Sequence, residues 1–229
     1  MTPYTATVNL QPLLLTFQLA AITTFLLFFI ALPLAYWLAY TKRRWKVIVE
    51  ALVSLPLVLP PTVLGFYLLL MFSPNTSIGA WLQSTLGLSL VFSFEGLVFA
   101  SMLYSLPFMV QPIQAGLSHL SPSLKEAAYV LGKSRTTTLW YVLLPNIRPA
   151  IWTGIVLSFA HTIGEFGVVL MIGGNIPGVT KVASIAIYDE VESLNYAAAH
   201  LYAGILLLVT FSILVAVYIV RRRQDYTNL

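Results

Sequence analysis

A chain of 229 residues that is 59% hydrophobic and only 9% charged cannot build the surface of a soluble domain, which takes roughly 25% charged residues. Its net charge of +4 raises nucleic acid as a partner, but the basic residues stand in short clusters at the ends of apolar runs. That is the pattern of membrane orientation, so membrane lipid and no nucleic acid is expected, and the lack of cysteine excludes disulfides, thiolate metal sites and cysteine nucleophiles.

Met1 to Gln11 carries no Lys or Arg, so no basic signal-peptide region is expected there. Five runs follow that are long enough to cross a hydrocarbon core, at about 13–40, 51–72, 95–117, 149–172 and 199–220. The first is long enough to tilt or to begin as an interfacial segment. Eleven of the twelve basic residues fall in the 41–50 loop, the 118–148 loop and the tail at Arg221, Arg222 and Arg223; only Lys181 lies elsewhere. Five spans with the N-terminus outside and the C-terminus inside put all eleven on the cytoplasmic side, whereas an even span count breaks the alternation. The tail arginines read as an orientation anchor. The expected fold is therefore a single all-α membrane domain covering 1–229, multi-pass in a cytoplasmic membrane.

Between the spans, residues 73–94 have room for a short re-entrant or interfacial helix, and 173–198 open on a turn-rich Gly173-Gly174-Asn175-Ile176-Pro177-Gly178. The 118–148 loop is too long and too patterned to be a mere connection. Ser121-Pro122 offers an N-cap with proline at the first helical position, and Ser123-Leu124-Lys125-Glu126 has the form of a capping box. Leu120, Leu124, Ala127, Ala128 and Leu131 recur at helical spacing. Gly132 stands where a helix ends in the left-handed conformation. A second short helix, roughly 135–143, runs into Pro145, and Pro149 can open the next span. Two short helices joined at a glycine make either a hairpin lying on the membrane surface or a knob that docks on a cytosolic partner.

Glu126-Ala127-Ala128, then Gly132, then Leu144-Pro145 resembles the coupling loop of ABC importer permeases. The likeness extends along the chain. Ser54-Leu55-Pro56-Leu57-Val58-Leu59-Pro60-Pro61-Thr62-Val63-Leu64-Gly65-Phe66 looks like the second span of molybdate permeases, and Gly164-Glu165-Phe166-Gly167 with Gly174-Asn175-Ile176-Pro177-Gly178 and Thr180 looks like their fourth span and outer loop. The resemblance implies the transmembrane domain of a type I ABC importer in the bacterial inner membrane, without catalytic residues or a cofactor of its own. It implies a permease homodimer, a cytosolic ATPase that uses ATP-Mg, and a periplasmic molybdate-binding protein. Tungstate has nearly the same shape and charge as molybdate, and the two are not separated here. Sulfate and thiosulfate permeases share parts of both stretches but are usually longer, with one more span.

Candidate path or gate residues follow from the irregular stretches. Pro56, Pro60 and Pro61 remove backbone donors and obstruct regular helix, and irregular backbone at membrane depth is tolerated only against protein or a cavity. With Thr62 they either line the path or make a packing kink. Glu165 is the one carboxylate well inside a span, and His161, four residues earlier, shares its helical face and can bond to it. A negative charge would repel an oxyanion, so Glu165 reads as a gate or a packing group rather than a ligand. Gly164 and Gly167 beside it allow close helix approach.

Other classes are disfavoured. His119, His161 and His200 have no metal-ligand spacing, and no Gly-Lys-Ser/Thr follows Gly173-Gly174, so no phosphate cradle forms. An ATPase-independent channel or carrier predicts inverted repeats or several buried charges. An intramembrane enzyme needs a nucleophile–base or metal pair within the spans. The chain offers neither.

Overall fold

Residues 9–227 are described by a computed structural model, in which all regular structure is helical among the described residues. The side chains of Arg221, Arg222 and Arg223 lie outside the described set, so the anchor expected there is not placed. Three helices are long and apolar enough to cross a membrane unaided: α1 (Gln11–Tyr40), α5 (Phe94–His119) and the Tyr196–Val215 stretch of α12 (Tyr196–Thr227). Counting each of two bent helix pairs as one span brings the total to five.

The first bent pair is α2 (Lys46–Val58) and α3 (Pro61–Phe72), which meet at 112°. The 51–72 run is thus not one straight helix. Pro60 and Pro61 cannot donate to the carbonyls one turn back, and Leu59 and Pro60 are extended, with ψ of 137° and 135°. Pro56, by contrast, is accommodated within α2. The second bent pair is Arg135–Asn146 and α9 (Arg148–Ile163), which meet at 78°. The run expected at 149–172 is divided as well: α9 stops at Gly164, and α10 (Gly167–Gly173) restarts after Glu165 and Phe166.

Two apolar clusters organise the bundle. In one, Leu27, Ala31, Ala35 and Leu38 of α1 pack on Met109, Val110, Ile113 and Leu117 of α5 and on Leu143, Leu144 and Ile147. In the other, Leu19, Leu68, Phe72, Leu97 and Ala100 enclose Val168, Val169 and Ile172. The short helix α10 is therefore a core element, while α12 packs on α9 and α11 and leaves most of its surface uncovered.

The 73–94 connection carries the short helix expected of it, and the 173–198 connection adds one that the sequence reading did not include. α4 (Ser77–Leu86) is capped by Thr76, whose hydroxyl accepts from the Gly79 N–H at 3.1 Å, and ends at left-handed Gly87. α11 (Ala183–Glu192) is fixed to α1 because Thr16 Oγ1 accepts from the Ala183 N–H at 2.8 Å. The turn before it is closed by Thr180, whose hydroxyl donates to the Gly173 carbonyl at 2.7 Å.

Candidate functional site

The 118–148 loop forms a knob rooted in the core. Its first helix, α6 (Pro122–Val130), starts at Ser121-Pro122 as expected, but the capping box is absent. Ser121 Oγ instead contacts Ser123 Oγ at 2.7 Å, and Ser121 makes no side-chain cap bond. Nor do the apolar residues form one covered stripe: Ala128 is buried, whereas Leu124 and Leu131 are exposed, Leu131 by 76%. Glu126 and Ala127 are exposed as well. Gly132 has φ +73°, the left-handed turn that glycine adopts without a Cβ penalty, and a Cβ built there would meet nothing within 4 Å.

The second half of the knob departs from a simple helix. α7 (Arg135–Thr138) widens into a π-helical turn over Leu139–Leu143 and then continues as α8 (Leu144–Asn146). Pro145 explains the widening. It has no N–H for the carbonyl one turn back, and its ring crowds that turn. The Leu144 N–H reaches back five residues to the Leu139 carbonyl, and the Asn146 side chain donates to the Val142 carbonyl at 2.6 Å. Leu143 and Leu144 are buried against α1 and α5, and Pro145 is half-buried. The tip is thus bare while the base is keyed into the bundle.

The second candidate region lies where the broken helices meet. Pro61 and Thr62, in the first turn of α3, touch Gly167, the first residue of α10. A Cβ on Gly65, one turn further, would stand 2.7 Å from Met171 Cβ and 3.1 Å from Val168 Cα. The two helices therefore run side by side in the same direction, with their N-termini together. Pro60 and the Thr62 side chain are exposed at this junction. Gly164 is exposed too, and a Cβ there would meet only carbonyls of its own helix, so it serves no helix contact.

His161 and Glu165 do not bond. The helix that would put them on one face ends at Ile163. His161 turns to α5 instead: its Nδ1 lies 3.0 Å from Ser105 Oγ, and its ring stacks on Phe108 at 4.1 Å. Ser105 Oγ also lies 3.0 Å from Thr162 Oγ1, which donates to the Ser158 carbonyl. With the Thr162 proton so used, Ser105 donates to Thr162, and the Nδ1–H of His161 donates to Ser105. Glu165 is 4% exposed, and neither carboxyl oxygen has a hydrogen-bond partner among the described residues. Its backbone carbonyl accepts from Ser184 Oγ at 2.6 Å.

Sequence reasoning missed a third set of contacts. The Lys125 ammonium lies 4.0 Å from the centre of the Tyr40 ring and within 6 Å of those of Tyr36 and Tyr129, joining α6 to the end of α1. Tyr36 and Tyr40 stand one helical turn apart, a spacing visible in the sequence but not pointing to a partner 85 residues on.

Residues 31–226 match the family described as binding-protein-dependent transport system inner membrane component. The chain belongs to that family. Among relatives of this inner membrane component, the chain is 48% identical over 215 residues to the Molybdenum transport system permease protein ModB of Azotobacter vinelandii, covering 93% of this chain and 95% of that one. A probable sulfate transport system permease protein, cysT of Zygnema circumcarinatum, is 36% identical over 214 residues, or 93% of this chain and 74% of that one. The fold is also that of a membrane chain of the MetNI methionine ABC transporter in an inward-facing conformation, with a TM-score of 0.72, 17% identity, and 97% and 99% of the two chains covered. The chain is thus an inner membrane component of a binding-protein-dependent transport system by family, with an ABC importer transmembrane fold.

Proposed function

We propose that this chain is the permease subunit of an ATP-driven importer that carries molybdate across the bacterial cytoplasmic membrane. The observation that carries the reading is the 48% identity to a molybdenum permease over nearly the full length of both chains, against 36% for the sulfate relative. Two copies enclose the path, because one copy leaves most of the Tyr196–Val215 stretch of α12 and the exposed faces of α2 and α3 without protein cover. A cytosolic ATPase binds and hydrolyses ATP-Mg, and a periplasmic binding protein delivers the anion.

The geometry suits a lever. The tip at Glu126, Ala127, Leu131 and Gly132 is open to a partner, whereas Leu143, Leu144 and Ile147 are fixed in the cluster shared by α1 and α5. Because close-packed interiors transmit displacement, motion imposed on the tip by ATP-driven closure of the ATPases passes into those spans. The path itself is uncharged. Thr62 presents a hydroxyl where the positive ends of α3 and α10 meet, which favours an anion. Glu165 is held inside and offers no charge to the substrate. The loops at 41–50 and 118–148 and the tail face the cytoplasm in this reading.

The test is uptake of labelled molybdate by cells lacking their own importer and expressing this chain with its ATPase and binding protein. Uptake competed by unlabelled tungstate, but not by sulfate, is expected. Competition by sulfate reassigns the cargo to sulfate or thiosulfate, and uptake that persists without the ATPase removes the ATP-driven reading altogether.

A further inference from the structure

The end of α1 and the two halves of the knob enclose a cavity of about 450 Å³ that the transport reading leaves unused. Its walls include Tyr36, Tyr40, Thr41, Lys125, Tyr129 and Arg135, and no carboxylate lines it. The ion pairs among the described residues are Lys46–Glu50 and Lys181–Asp189, so neither Lys125 nor Arg135 has an acidic partner there. The Tyr40, Tyr36 and Tyr129 rings surround the Lys125 ammonium but supply no countercharge. The Tyr40 hydroxyl donates to the Leu117 carbonyl at 3.3 Å, so the ammonium of Lys125 and the guanidinium of Arg135, with the Tyr36, Tyr129 and Thr41 hydroxyls, surround a space without an anion of its own.

We propose that this cavity binds a phosphate-bearing anion, the headgroup of an anionic phospholipid from the leaflet next to the knob. Arginine and lysine with tyrosine and threonine hydroxyls match the acceptor oxygens of a phosphodiester. The depth is right for a lipid. Thirty residues of α1 exceed the about 20 that span hydrocarbon, so its last turns reach the interface, and Trp37 beside Tyr36 and Tyr40 forms the aromatic belt found there. Lys42, Arg43 and Arg44 follow at once and make the rim basic, as juxtamembrane sequences that attract anionic lipid are. A bound headgroup bridges α1 to both halves of the knob and holds the tip to the bundle.

The experiment uses the full-length chain purified with its ATPase in phosphatidylcholine nanodiscs, titrated with phosphatidylglycerol and read by native mass spectrometry of retained lipid. Lys125→Gln with Arg135→Gln is expected to weaken phosphatidylglycerol retention about tenfold or more, at roughly a few-fold per charge removed. The charge-keeping pair Lys125→Arg with Arg135→Lys, and Lys133→Gln outside the cavity, are expected to retain it. Equal retention by wild type and the double Gln variant overturns the proposal. Millimolar inorganic phosphate forms the second arm. Failure of phosphate to displace the lipid supports the headgroup, whereas saturation by phosphate with no preference for the lipid overturns the lipid assignment. Lipid retention does not depend on which anion is transported, so this test can fail while the transport reading stands.

Discussion

Gly167 is pressed against Pro61 so closely that a Cβ built on the glycine would lie 2.8 Å from the proline Cβ and 3.3 Å from the Thr62 nitrogen. The contact joins the two places where the membrane helices break, one at a proline pair and one after Glu165. Gly167→Ala must push these helices apart. Overpacking of this kind costs about 1–3 kcal/mol, so the purified complex should lose thermal stability and molybdate uptake together. Gly164→Ala, whose Cβ would make only ordinary contacts at 3.8 and 3.9 Å with carbonyls of its own helix, should change the melting point little. Equal melting points for the two variants would show that the helices are not in contact.

At Gly132 the structure separates two effects that a substitution usually mixes. The left-handed φ of +73° costs a side-chain-bearing residue about 1–2 kcal/mol, yet nothing within 4 Å obstructs the side chain. Gly132→Asp should therefore reach the membrane folded but fail at the surface that meets the ATPase. The expected result is normal chain abundance, with uptake and transport-linked ATP hydrolysis reduced at least about tenfold, a loss of roughly 1.4 kcal/mol in coupling. Gly132→Asn tolerates the left-handed turn and carries no charge, so it should be milder. Normal uptake by Gly132→Asp would sink the coupling reading of the knob.

Some of this arrangement was legible in the residues and some was not. Proline, glycine and charge have local effects, so the α6 start at Ser121-Pro122, the left-handed Gly132 and the short helix within 73–94 were readable in place, whereas α11 was not. Helix continuity was harder. Hydropathy does not register a 112° bend, and the 51–72 run stays apolar straight across the break. The His161–Glu165 pairing assumed an unbroken helix and fell with the break at Gly164. The Ser105–His161 bond and the Lys125–Tyr40 contact join residues 56 and 85 positions apart, which helical periodicity cannot relate. The π-helical turn needed both Pro145 and the burial of Leu143 and Leu144, and only the proline was visible beforehand.

Glu165 is the residue for which stability and transport should part company. Its carboxyl oxygens are buried without a partner among the described residues, and an unsatisfied buried polar group costs about 1–3 kcal/mol. Glu165→Gln keeps shape and polarity, while Glu165→Ala removes the side chain. Both variants should insert normally, and neither should lower the melting point as a core truncation would. Uptake should nevertheless fall, most in Glu165→Ala, because the residue stands in the break between α9 and α10, beside the start of α10 that meets α3. Wild-type uptake by Glu165→Ala would reduce the residue to a helix spacer.

Ser105 is where α5 holds α9, and the proton accounting there makes the last prediction specific. Its hydroxyl receives the His161 Nδ1–H and donates to Thr162, so one small side chain satisfies two groups on the neighbouring helix. Ser105→Ala leaves a donor on His161 and an acceptor on Thr162 facing a methyl group. Orphaning buried polar groups should cost about 1–3 kcal/mol and lower the melting point of the purified complex. Combining Ser105→Ala with His161→Phe should recover part of the loss, because phenylalanine keeps the stacking on Phe108 and needs no partner. A double variant that melts at the sum of the two single losses would mean that Ser105 and His161 are not coupled. Recovery in the double variant would establish the bond as the tie between the two spans, and the uptake rate of that variant would then report whether the tie must break during transport.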